Sequence, residues 1–205
     1  MMHQSVILAI LVSLCLQAVY GYPSGPPVGS VKGLCEAMDP TGHGPSKATG
    51  DPPYVISVSS SSYKANANIT VSIKVTGDSE HFEGLFVQAR RQDASKGSTT
   101  EALGTFSDQP TDTQLLHCGN AKNNAWGHKD KKTKTEKTIT WTAPDDQGPL
   151  VFVATIVKGP KEMYWMDVKS SELTFDAGEK KLHVNTKWDD FKQRLYYQRK
   201  VANQP

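Results

Sequence analysis

Cysteine is scarce in these 205 residues: Cys15, Cys35 and Cys118 are the whole supply. So few thiols exclude a disulfide-dense scaffold and leave no close ligand pair for a structural metal. Net charge is also small, at +2, so no partner is indicated by the total, and any preference for anions must be local. Long apolar runs are missing. Val6 to Leu16, broken by Ser13, falls well short of the about 20 apolar residues that a membrane span needs. Catalytic motifs are missing as well. There is no Gly-x-Ser-x-Gly elbow, no His-Glu-x-x-His and no phosphate-cradling glycine loop. His43, His81, His117, His128 and His183 are scattered, and Asp145-Asp146 and Asp189-Asp190 are adjacent acids instead of a facing pair. These absences argue against an enzyme, and no cofactor is expected.

What is present begins with a leader. Residues 1–21 read as a secretory signal peptide, with small residues at Val19 and Gly21 placing cleavage after Gly21. No transmembrane anchor is expected, and Gln198-Arg199-Lys200 argues against a hydrophobic lipid-anchor tail. Cys15 leaves with the leader. Cys35 and Cys118 remain, an even count in an exported chain, and pairing is the default. A bridge closing so long a loop contributes about 4 kcal/mol in the chain-entropy picture. The alternative is metal or thiol chemistry involving His117, but adjacent residues on an extended chain point apart.

From Tyr54 onward the chain reads as a series of strands. Tyr54 to Val58 is the first, and Ser59 to Ser62 a polar turn or edge. Asn68 to Val75 alternates with period two: Ile69, Val71, Ile73 and Val75 on one side, Asn68, Thr70, Ser72 and Lys74 on the other. Phe82 to Arg91 is apolar on both parities, as a central strand is. Residues 107–137 have little periodicity, so a short strand is expected near Gln114 to His117. Thr138 to Ala143 alternates with Trp141 inward, Pro149 to Val157 is almost continuously apolar, and Tyr164 to Val168 and Leu173 to Phe175 follow. Many short strands with Gly/Pro turns predict an all-β protein, a sandwich of about eight or nine strands. At the far end Trp188, Phe191 and Leu195 recur at helical spacing, predicting a short amphipathic helix over 187–200.

Two features carry candidate contacts. Lys129, Lys131, Lys132, Lys134 and Lys137 face only Asp130 and Glu136. If this stretch enters the next strand extended, Lys132 and Lys134 share the wet face of Thr138 and Thr140. The stripe could attract sulfated glycans, anionic lipid heads or other polyanions, although a solvated loop has the same composition. Aromatic side chains are not interleaved with it, which disfavours nucleic acid. Asn68-Ile69-Thr70 is the one N-glycosylation sequon, on the wet face of its strand.

Taken together, a set of short motifs resembles the reeler, or reelin N-terminal-like, domain family. They are Cys35-Glu-Ala-Met38-Asp-Pro40 with His43-Gly44, Pro53-Tyr54, Phe82-Glu-Gly84-Leu-Phe86-Val-Gln-Ala-Arg90, Gly104-Thr-Phe106, Cys118, Trp141-Thr-Ala-Pro144, Gly148 to Thr155, and Tyr164-Trp165 followed by Ser170 and Leu173. The resemblance covers about Val31 to Phe175. It implies an immunoglobulin-like sandwich with Cys35 bridged to Cys118. Ala65-Asn66-Ala67-Asn68 departs from the Pro-Gly type of turn expected before the second long strand.

The family includes reelin and spondin-type matrix proteins, ferric-chelate reductase-like membrane proteins and short secreted invertebrate defence proteins. The expected organisation is a signal peptide at 1–21, a reeler-like sandwich at 22–176 and a helical extension at 177–205. The resemblance is greatest to the defence proteins. It implies a secreted, non-enzymatic binding protein of innate immunity, with microbial surface glycans or lipopolysaccharide as partners. The alternative is an extracellular matrix or biomineral-associated protein bound to sulfated glycans. Nothing in the pattern specifies an oligomer. The cysteine bridge is expected as a peripheral clamp whose reduction loosens the 107–137 loop first.

Overall fold

The computed structural model describes residues 22–159 and 163–178. The expected leader and the expected 187–200 helix lie outside the described residues. Within them the chain is an all-β sandwich. Its strands are β1 (Tyr54–Val58), β2 (Ser62–Tyr63), β3 (Asn68–Val75), β4 (Gly84–Arg91), β5 (Thr105–Ser107), β6 (Thr113–Leu116), β7 (Ala125–His128), β8 (Glu136–Thr142), β9 (Leu150–Val157), β10 (Tyr164–Lys169) and β11 (Thr174–Phe175). One antiparallel sheet runs β1-β3-β8-β5 and a second runs β10-β9-β4-β7-β6, with β11 and β2 forming a small parallel pair.

The central core lies between the sheets. Ile69, Val71 and Ile73 of β3, with Ile139 and Trp141 of β8, meet Leu85, Val87 and Ala89 of β4 and Phe152, Ala154 and Ile156 of β9. Alternation does this directly, because one parity of each strand is apolar. Trp141 fills the centre, edge-on to Phe152 at 5.1 Å, with its Nε1 donating to Leu103 O at 2.9 Å. Gly104 makes room for it. A β-carbon there would lie 2.4 Å from the indole, and the backbone sits at φ +68°, a conformation open to glycine.

The turn before β3 is made without Pro-Gly. Asn66 takes φ +61°, and Ala67 N donates to Lys64 O at 3.0 Å. Asparagine tolerates this left-handed geometry, which is why the departure from the expected motif is structurally neutral.

Strands β4 and β9 are buried at every position. Their second faces belong to another core. The N-terminal segment crosses the outside of the five-stranded sheet, and Leu34 and Met38 pack there with Phe86, Leu116, Cys118, Ala125, Val151 and Val153. A one-turn helix, α1 (Leu34–Ala37), carries Cys35 onto this face. Cys35 is bonded to Cys118 with Cα atoms 5.5 Å apart. Asn124 holds the far partner, accepting from Cys118 N at 2.7 Å and donating to Cys118 O at 2.9 Å. As expected, the bridge ties the N-terminal segment to the middle loop, the β6–β7 connection, and pins no two strands. It is less peripheral than expected: Cys118 is only 7% exposed and belongs to the second core, with Cys35 half-buried against it. The 107–137 region is also better ordered than its sequence suggests, since β6 and β7 form a paired hairpin within it.

Candidate functional site

The lysine-rich segment leaves β7 at His128 and enters β8 at Glu136. Its extended entry, with Lys132 and Lys134 on one wet face, does not form. Lys134 pairs with Phe82 as an isolated bridge, and Thr135 bends the chain before the strand begins, so the parity breaks there. The Lys134 side chain turns inward and is fully buried. Its ammonium donates to Glu83 O at 3.1 Å, Asp130 O at 3.0 Å, Asp130 Oδ1 at 3.1 Å and Lys132 O at 2.7 Å. Three backbone carbonyls and a carboxylate replace its water shell, which is what a buried ammonium requires.

Lys134 is thus a staple that folds the loop around itself and no contact for an outside ligand. Lys137 is also taken, since its Nζ lies 2.9 Å from Asp112 Oδ2 with both side chains largely buried. Asp130 is held ionised, its carboxyl pushed below the usual range first by the N–H of Lys132 and then by the Lys134 ammonium. The expected stripe of five contracts to Lys129, Lys131 and Lys132, all exposed. Lys132 Nζ stands 3.8 Å from Asp130 Oδ2.

Of these three, Lys131 borders a cleft that the sequence did not reveal. The N-terminal segment forms one wall with Tyr22, Pro26 and Met38, and the sheet forms the other with Phe86 and Val157. An inner hollow of about 40 Å³ adjoins an outer one of about 180 Å³, where Lys131, Glu83 and His43 line the mouth. His128 ties the two walls together. Its Nδ1 faces the backbone of Leu85, 3.2 Å from the amide nitrogen, and its Nε2 lies 3.1 Å from Tyr22 O. The donor assignment that satisfies both is the Nε2–H tautomer, with Nδ1 accepting from Leu85 N–H. Burial pushes the His128 pKa down. Gly25 permits the approach of the N-terminal segment, because a β-carbon there would lie 2.4 Å from His128 O.

Asn68 is exposed at the start of β3, where its Oδ1 accepts from Thr142 Oγ1 at 2.9 Å. Its outward neighbours form cross-strand rows of hydroxyls, including Ser57, Ser72 and Thr138 in one register and Thr70, Thr140 and Ser107 in the next. Among the described residues, no three His, Cys, Asp or Glu side chains gather as a metal site. Among them, too, no helix is long and apolar enough to cross a membrane.

The Reeler domain profile matches residues 33–181. The chain belongs to the reeler domain family. Among curated relatives, it is 31% identical over 169 residues to "Putative defense protein 3" of Antheraea mylitta, covering 82% of this chain and 94% of that one. It is 30% identical over 173 residues to "Putative ferric-chelate reductase 1" of Danio rerio, covering 83% of this chain but only 28% of that protein. Among solved structures, the human F-spondin reeler domain superposes with a TM-score of 0.51 at 18% identity, over 63% of this chain and 95% of that domain. At that identity the likeness shows a shared fold. The match to a reeler sandwich accords with the two sheets and with the burial of Trp141 and β4.

Proposed function

We propose that this reeler protein is a secreted, non-enzymatic binding module with a defence-like role, recognising anionic glycan or lipid components of microbial surfaces. One observation carries the reading: the buried Lys134 ammonium folds the 129–134 loop so that Lys131 stands at the mouth of an apolar cleft, with Lys129 and Lys132 exposed on the same loop. A charged rim next to an apolar hollow suits an anionic amphiphile, whose head meets the lysines while a small apolar group enters the cleft. The similarity to moth proteins named as defence proteins supports the role. Asn68 is the proposed glycan site, tested by a mass shift on treatment with an N-glycosidase.

The test is binding to lipopolysaccharide and to anionic and neutral vesicles, with a variant carrying Lys129→Glu, Lys131→Glu and Lys132→Glu. Wild-type binding to the anionic targets should weaken as salt rises, and the variant should lose it. Retention of binding by the variant sinks the reading. The matrix alternative is favoured by a different observation, the uncharged hydroxyl rows beside Asn68. Retention on insoluble polysaccharide, abolished by Thr70→Lys and Thr140→Lys, would select it.

A further inference from the structure

Strand β4 ends in two consecutive arginines at the opposite end from the lysine loop. Arg90 is 8% exposed and Arg91 7%, far more buried than guanidinium groups usually are. Arg91 is neutralised, with its Nη1 2.6 Å from Glu101 Oε2 and 2.9 Å from Ser98 O, and a further bond to Gln147 Oε1. Arg90 is not. Its Nε donates to Gln88 Oε1 at 2.9 Å, and its Nη2 to Cys35 O at 2.6 Å and Glu36 O at 3.0 Å. All three acceptors are neutral. Asp167 and Glu36 act on Arg90 only at longer range, and burial outweighs them in pulling its pKa down. A guanidinium stays charged regardless, so a cation with no carboxylate among its hydrogen-bond partners is held under the surface.

A cavity of about 260 Å³ lies against it. Lys169 adds positive charge, and Asp167, 3.0 Å from the Lys169 ammonium, is the one carboxylate in the lining. Thr99, Thr100 and Gln92 contribute hydroxyl and amide groups, and Val151 and Val153 an apolar wall. The combination is specific. A bare phosphate would use the cation and leave the apolar wall idle, and an aliphatic acid would leave the hydroxyls idle. A sugar ring has an apolar face, a rim of hydroxyls and, when acidic, one carboxylate.

We propose that this cavity binds one acidic monosaccharide unit, its carboxylate facing Arg90, its hydroxyls facing Thr99 and Thr100, and its apolar face against Val151 and Val153. The next hollow along the surface, about 590 Å³, shares Thr100 but is lined by Glu36 and Glu101. Glu101 is spent on Arg91, but the exposed Glu36 repels a second anionic unit, so the site favours a single or terminal acidic sugar over an extended polyanion. This selectivity is opposite to that of the lysine rim and independent of it.

The experiment uses the full chain with D-glucuronate, its methyl ester, D-glucose and inorganic phosphate, read by amide chemical shifts. Glucuronate should shift the amides of Gln92, Thr99 and Thr100, and the methyl ester should bind at least about tenfold more weakly because the charged hydrogen bond is lost. Arg90 also secures α1, so the informative variant is Thr99→Asp with Thr100→Asp. Both positions are exposed, and the added acids should abolish the shifts without altering the fold. The variant with Glu at positions 129, 131 and 132 should bind glucuronate as wild type does, which separates failure of this site from failure of the lysine rim. Equal binding of acid and ester, equal competition by phosphate, or no shift at these amides up to the solubility of the sugar overturns the proposal.

Discussion

Replacing both bridged cysteines, Cys35→Ala with Cys118→Ala, tests most directly how the N-terminal segment is held on the five-stranded sheet. The bridge closes a sequence separation of 83 residues, for which loop-closure entropy in the unfolded chain gives about 4.5 kcal/mol. For a domain of this size that corresponds to a fall in Tm of about 9–18 °C. The structure adds where the loss should appear. The N-terminal segment is held on the sheet by the bridge, by Leu34 and Met38, and by the Gln88 and Arg90 side chains that reach the Cys35 carbonyl at 2.9 and 2.6 Å. Without the bridge, amides of Leu34 to Met38 should exchange before those of β3 and β8, and the cleft should lose its Tyr22 and Pro26 wall. Thermal scans paired with hydrogen exchange by mass spectrometry measure both. A Tm drop under about 2 °C, or exchange that begins in the 107–137 region while residues 34–38 stay protected, would refute the reasoning.

Three further outcomes follow from the same geometry. Lys134→Met leaves four acceptors without their donor and should cost about 3 kcal/mol in a denaturant titration, while weakening binding to anionic vesicles through the Lys129 to Lys132 loop; unchanged stability and binding would remove the staple from the account. Gly104→Ala places a β-carbon against Trp141 at φ +68° and should cost about 3 kcal/mol, read as a shift in the urea midpoint. His128 is held neutral chiefly by burial, with Lys134 and His43 adding to the effect and its bonds to Leu85 and Tyr22 opposing it. The unfolded chain therefore binds the extra proton first, and stability should fall as pH drops below about 6.5; His128→Gln should flatten that slope, and an unchanged slope would count against the assignment.

Much of the sandwich was legible because its strands obey simple rules. Asn68–Val75 alternates with period two and forms β3 over the same residues, and the apolar run to Val157 forms β9. The mixed parity of Phe82 to Arg91 announced a central strand but not its cause. Both faces are covered because the irregular N-terminal segment, poor in apolar residues, contributes Leu34 and Met38 at one point. Strand β7 was invisible, since Ala125-Trp-Gly-His has no pattern of its own and is made a strand by pairing with β4. Lys134 was misplaced because period-two counting was carried across Thr135, where the backbone bends. The arginines did leave a signal. On a strand whose two faces are both inside, Gln88 and Arg90 have nowhere to point but inward.

Strand β4 joins two chemistries at a fixed separation. Lys131 stands by Gly84 at one end and Arg90 lies at the other. Six residues of extended chain set them about 20 Å apart. Asn68 pairs with Thr142, six residues along β8 from Glu136, so a glycan there projects from the end remote from the lysines. The module therefore has two poles. Were the lysine pole to meet an anionic surface, the Asn68 sequon and the arginine cavity would face away from it, free to meet a second body.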